Sequence, residues 1–181
     1  MKQQIVTGLA DLERLESAVS VSAALAVRSL RALNGGDPIG ALAAMKFAQV
    51  GLDPLDPDRP LNLIEQINQT FTYLASIAGA RWLLRLHPEC VPLRLNLGTQ
   101  SGFDIESSCG RFVAETFAAT NPKSNDKLRK DLAKLRNATA QHRFVFYLSP
   151  VRDRRIHDEG VSVVQVEHPA MSRLCSVQSD V

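Results

Sequence analysis

The sequence predicts a mixed α/β protein in which an α-β-β-β-α-β core follows a helical N-terminal subdomain. Three observations carry this. Apolar residues recur every three or four positions up to about residue 86. Beyond Pro92 the period shortens to two. An amphipathic helix over 126–136 then interrupts the strands before the β-rich run RFVFYL, Arg143 to Leu148. A length of 181 residues with 45% hydrophobic and 22% charged side chains suits a globular chain able to bury a core.

The elements follow in order. Leu9, Leu12, Leu15, Val19, Ala23, Ala26 and Leu30 space a first helix to Leu33, stopped by Asn34-Gly35-Gly36. Asp37-Pro38 caps a second, Ala-rich helix from about Ile39 to Val50. Pro54, Pro57 and Pro60 make a stiff, non-helical connector, the best candidate boundary in the chain. Ile64, Ile67, Phe71, Leu74, Ile77 and Ala78 then form one stripe of a long helix that starts at Leu61 and is closed by His87-Pro88. Leu93 to Leu97 and Phe103 to Ser107 alternate as two strands, Arg111 to Ala119 is a third, and Val161 to Val166 is the last. Between them lies the helix Asp126 to Arg136, with Leu128, Leu132 and Leu135 inward. The expected division is a helical subdomain over 1–60, an α/β core over 61–170 and a tail over 171–181.

Charge is nearly balanced, 21 Lys and Arg against 19 Asp and Glu, but it is unevenly placed. Residues 1–90 carry 8 basic and 9 acidic side chains, and residues 91–160 carry 12 and 8, so an anionic partner should meet the second half. Cys90, Cys109 and Cys175 lack metal or disulfide spacing, which points to free thiols and a cytoplasmic setting. The N-terminus has no signal-peptide pattern, and no segment is apolar enough to span a membrane. P-loop, GxGxxG and GxSxG motifs are missing, so Walker-type hydrolysis and α/β-hydrolase chemistry have no support. His87, His142, His157 and His168 lack ligand spacing and read as surface or capping residues. Trp82, between Arg81 and Arg85, is more often core than a stacking platform.

The carboxylates of the strands are the informative residues. Asp104 and Glu106 share one face of the second strand, and Glu106 reads as solvated. On the third strand Val113, Glu115 and Phe117 share a face, which sets a carboxylate between large apolar neighbours. A buried charge needs a partner, a metal or a proton. A structural ion pair is the commoner answer. Two acids at matching levels of adjacent strands instead make an oxygen site suited to Mg²⁺ or Mn²⁺.

The stretch GFDIESSCGRFVAETFAATNPKSNDKLRKDLAKL, followed by RFVFYL, resembles the core of the PD-(D/E)XK, restriction-endonuclease-like superfamily. The resemblance covers residues 61 to about 150 and implies an Asp on the second core strand and Glu-x-Lys on the third. Asp104 and Glu115 match the two acids, and Glu65, on the first core helix, lies where a further metal ligand often sits. The implied activity is a Mg²⁺- or Mn²⁺-dependent phosphodiesterase, a hydrolase acting on DNA. Asp104, Glu115, the Thr116 carbonyl and Glu65 would hold the metal, and Lys127, Lys130 and Lys134 the phosphodiester backbone. The sequence departs from the pattern at Phe117, which stands where the motif has Lys. Either Lys123 or Lys127 reaches back into the site, or the domain is a catalytically silent module that binds nucleic acid or a protein. The apolar stripes of the first 60 residues predict docking on the core or, preferred here, a homodimer through the Leu9 to Leu33 helix.

Overall fold

A computed structural model describes residues 3–33, 37–98, 101–123, 126–151, 158 and 160–172. The expected helix stop at Asn34 to Gly36, His157, Cys175 and most of the C-terminal tail lie outside the described residues. The chain is mixed α/β. Its six-stranded sheet joins β1 (Gln3–Val6), β4 (Leu93–Asn96), β5 (Ile105–Ser107), β6 (Phe112–Ala118), β7 (His142–Leu148) and β8 (Ser162–Gln165), side by side in that order. Neighbours from β1 to β6 are antiparallel, and β6, β7 and β8 are parallel. A two-stranded sheet, β2 (Gly51–Asp53) with β3 (Asp56–Leu61), stands apart from it.

Parallel strands need a crossover, and α4 (Lys127–Arg136) supplies it between β6 and β7. The long helix α3 (Leu63–Leu86) covers the other face of the sheet. With both faces covered, β6 and β7 can be apolar almost throughout, FVAETFA and HRFVFYL. Their period of two sorts the core. Phe112, Ala114, Phe144, Phe146 and Leu148 pack with Tyr73, Ile77 and Leu83 of α3. Val113, Phe117, Val145 and Tyr147 pack with Leu128 and Leu135 of α4. The helix stripe of α4 is thus the expected one, and the order α3-β4-β5-β6-α4-β7 is the α-β-β-β-α-β that the periodicities predict.

Helix α3 starts two residues into the expected span because Asn62 caps it. The Asn62 side chain accepts from the Glu65 N–H at 2.8 Å while the Glu65 carboxylate accepts from the Asn62 N–H at 3.3 Å, a reciprocal capping box. Further along, Gly79 lets the Phe146 ring approach the helix backbone: a Cβ there would lie 2.7 Å from a ring carbon.

Three expectations change. Residues 3–6 form an edge strand on β4, ahead of Leu9, where the first element was expected to begin. The proline-rich connector is the β2–β3 hairpin. Pro57 and Pro60 fit there because a two-stranded sheet leaves half of each strand's N–H groups unpaired. The packing also continues through residue 60, since Val6, Leu12, Leu15 and Val19 share one cluster with Tyr73, Leu93 and Phe146.

Docking within the chain therefore buries Leu12, Leu15, Val19 and Ala26 of α1 (Leu9–Ala32). Val21, Leu25 and Val27 of the same helix are exposed. The second helix, α2 (Pro38–Phe47), ends earlier than expected, because Ala48 is already extended. It buries none of its residues, and Ile39, Leu42 and Phe47 all face solvent. A short helix α5 (Pro169–Ser172) follows β8. Among the described residues no helix is long and apolar enough to cross a membrane.

Candidate functional site

The site forms where β5 stops and β6 continues. The register pairs Ile105 with Ala114 and Glu106 with Val113, so one further step sets Asp104 opposite Glu115. There the ladder ends, and the Thr116 N–H, freed from strand pairing, is captured by the Asp104 carboxylate. Its Oδ2 accepts from the Thr116 backbone N–H at 2.7 Å and from the Thr116 hydroxyl at 3.2 Å, which leaves Oδ1 outside these two bonds. In an extended strand the N–H and C=O of one residue project toward the same neighbour. The Thr116 carbonyl therefore faces the edge on which Asp104 sits. Behind this edge the Thr116 hydroxyl shares a 2.6 Å hydrogen bond with Ser76 of α3, which fixes β6 against that helix.

Ile105 points into the α3 core, and Glu115, between Val113 and Phe117, projects to the α4 face; Asp104, just before β5, caps the sheet edge beside it. Glu115 is only 2% exposed. Its partners come from α4. Lys127, Asp131 and Lys134 recur at i, i+4 and i+7, each one position before an inward Leu, so they flank the buried stripe and overhang β6. The Lys134 ammonium donates to Glu115 Oε1 and, at 2.5 Å, to the Gly102 carbonyl, and it lies 5.1 Å from the centre of the Phe103 ring. The Lys127 ammonium is 3.8 Å from Glu115 Oε2 but donates at 2.7 Å to Asp131 Oδ1. Asp131 is 3% exposed, and its Oδ2 is buried without a hydrogen-bond partner.

Three carboxylates thus face two ammonium groups in a partly dehydrated space. Burial pushes the Glu115 carboxyl up to about 7, the Asp104 carboxylate adds to the rise, and the Lys134 hydrogen bond opposes it. Burial also raises the Asp131 carboxyl against the pull of Lys127. Burial alone would lower the Lys127 ammonium, but its hydrogen bond to Asp131 raises it.

The structure brings together Asp104, Glu115, Thr116, Lys127 and Lys134, and separates others expected with them. Glu65 is exposed and spent in the α3 capping box. It lies eleven residues before Ser76, about 16 Å along the helix axis from the level of Thr116, so it does not join the acids. Lys123 lines a shallow pocket with Asp126, Arg129 and Arg136, on the side of α4 turned away from Lys127 and Lys134. Lys130 is exposed on α4 and Glu106 pairs with Arg94. His142 stacks on Phe112, and Trp82 packs edge-on against Phe144.

The lysine on Glu115 is Lys134, which sequence reasoning placed only among phosphate contacts, and Asp131 was not singled out at all. The signal for both was present in the i, i+4, i+7 spacing beside Leu128, Leu132 and Leu135. Compared with protein-family models, curated proteins and solved structures, the chain matches none.

Proposed function

We propose that this chain is a metal-dependent phosphodiesterase acting on DNA, built on a restriction-endonuclease-like core with its motif lysine moved from β6 to α4. One observation carries the reading. A Glu held almost fully buried in the middle of β6 sits opposite Asp104 and beneath a lysine, although Phe117 fills the position where that lysine would ordinarily stand. The order and pairing of α3, β4 to β6, α4 and β7 support the same core.

The donor chemistry suits Mg²⁺ or Mn²⁺. Two carboxylates and the Thr116 carbonyl are hard oxygen donors on one edge, and the orphaned Asp131 Oδ2 marks negative charge that the two lysines leave uncompensated. Among the described residues no three or more His, Cys, Asp or Glu side chains group as metal ligands; the proposed set is the two acids with the Thr116 carbonyl. When bound, the ion would polarise a phosphate oxygen and acidify a water. The chain does the rest. Asp104 and Glu115 would hold that ion, and Lys134, already donating to Glu115, would offer a positive charge and a proton donor to a phosphodiester brought to the site. Lys127 and exposed Lys130 steady the backbone.

The reading is tested by incubating supercoiled plasmid with the protein and Mg²⁺ or Mn²⁺. Nicking is expected with the wild type and is expected to vanish in Asp104→Ala, Glu115→Ala and Lys134→Ala while Lys123→Ala retains it. Loss in Lys123→Ala with retention in Lys134→Ala would reverse the assignment of the lysine. The competing reading, a silent module of the same fold, is favoured by the lysine contacts that both Glu115 oxygens already have. Salt-dependent DNA binding without any metal-dependent nicking would establish it.

A further inference from the structure

The two oxygens of Glu115 are unequally guarded. Lys134 is seated on Oε1 by three contacts at once, whereas Lys127 stands 3.8 Å from Oε2 because Asp131 holds its ammonium at 2.7 Å. Any cation that binds Glu115 through Oε1 must displace an ammonium, and through Oε2 it meets one that is restrained elsewhere. We propose that Lys134 and the divalent metal compete for Glu115, and that Asp131 is the positioning residue that withholds Lys127 from the same carboxylate. Helix α4 would then set metal affinity as well as supply the lysine.

This inference rests on the metal-dependent reading of the site, and the experiment separates the two. Mn²⁺ alone is titrated into the full chain without DNA, and free Mn²⁺ is followed by electron paramagnetic resonance. Lys134→Met should tighten Mn²⁺ binding by about fivefold or more, since an ammonium no longer contests Oε1. Asp131→Asn should weaken it by about fivefold, as Lys127 turns onto Oε2. The opposite signs cannot come from a general loss of folding, which would weaken both. Lys130→Met removes the same charge from an exposed position on the same helix and should shift affinity by less than about twofold. Equal tightening in Lys130→Met and Lys134→Met would reduce the effect to bulk charge and overturn the proposal, as would unchanged or weaker binding in Lys134→Met. If the wild type and Glu115→Gln bind Mn²⁺ alike, the metal site itself fails. If Glu115→Gln loses binding but Lys134→Met gains none, only the competition fails.

Discussion

Replacing Glu115 by Gln should make the protein more stable at neutral pH and remove most of one component of its pH dependence. The carboxyl has an ordinary value of 4.5, and burial raises it to about 7 in the folded chain. Between these values the folded state holds a proton that the unfolded state has released, so the stability contributed by this group falls as pH rises. It is fully present below 4.5 and is lost on passing 7. A carboxyl moved that far represents about 3 kcal/mol, an upper figure because Lys134 and Lys127 can shift to follow the charge. Gln keeps the shape and cannot ionise. Urea unfolding of wild type and Glu115→Gln at pH 5 and pH 8 measures the effect directly. The difference between the two proteins should swing by about 2.5 kcal/mol toward the variant at the higher pH, since a little of the effect is already spent at pH 5. A difference that stays constant between pH 5 and 8 would refute the idea that burial strains this carboxylate. A swing of opposite sign would mean that the lysines overcompensate it.

Other outcomes follow from the packing. Gly79→Ala would drive a Cβ into the Phe146 ring, 2.7 to 3.1 Å from three of its side-chain carbons, and should cost about 2 kcal/mol in chemical denaturation; a neutral result would mean that α3 slides freely on β7. Ser76→Ala removes the 2.6 Å bond to Thr116 and should cost about 1 kcal/mol, with a further loss of Mn²⁺-induced rise in Tm if the Thr116 carbonyl is a ligand. Cys109 is exposed, and hydrogen bonds from Ser107 and Arg111 bring its thiol down to about 7, while burial pushes Cys90 up to about 11. Iodoacetamide at pH 7.5 should therefore alkylate Cys109 before Cys90, read by peptide mass mapping, and Ser107→Ala should slow it; equal labelling of Cys90 would contradict the burial of that side chain.

What could be read from the sequence was whatever a local period reports. Strands β4 to β7 and helices α1, α3 and α4 announce themselves by spacing, and Glu115 stood out because Val113 and Phe117 flank it on one face. Strand β1 has no such signal. Gln3 and Gln4 are held by pairing with β4, a relation between distant segments that no window of a few residues contains. The prolines of the hairpin misled for the opposite reason, since their local preference against strands is overridden where half the N–H groups face outward. In the site, Asp104 and Glu115 were found by alternation along strands. The pairing of Lys134 with Glu115 was missed because it depends on how α4 is rotated over β6, and that rotation is set by Leu128 and Leu135 reaching the core. Glu65 was a position borrowed from a resemblance, and its own neighbour Asn62 offers it a nearer partner.

The pairing of Gln3–Val6 with Leu93–Asn96 also has a temporal side. The ribosome delivers the first of these segments roughly ninety residues before the second, so β1 must wait through the synthesis of three helices for β4. During that interval it is an orphan strand. Helix α1, already carrying Leu12, Leu15 and Val19, is equally without a surface to bury them until α3 emerges. The nascent chain therefore has little to gain from early collapse, and closure of the sheet edge comes late. A tag fused ahead of Gln3 would act on that last step of assembly.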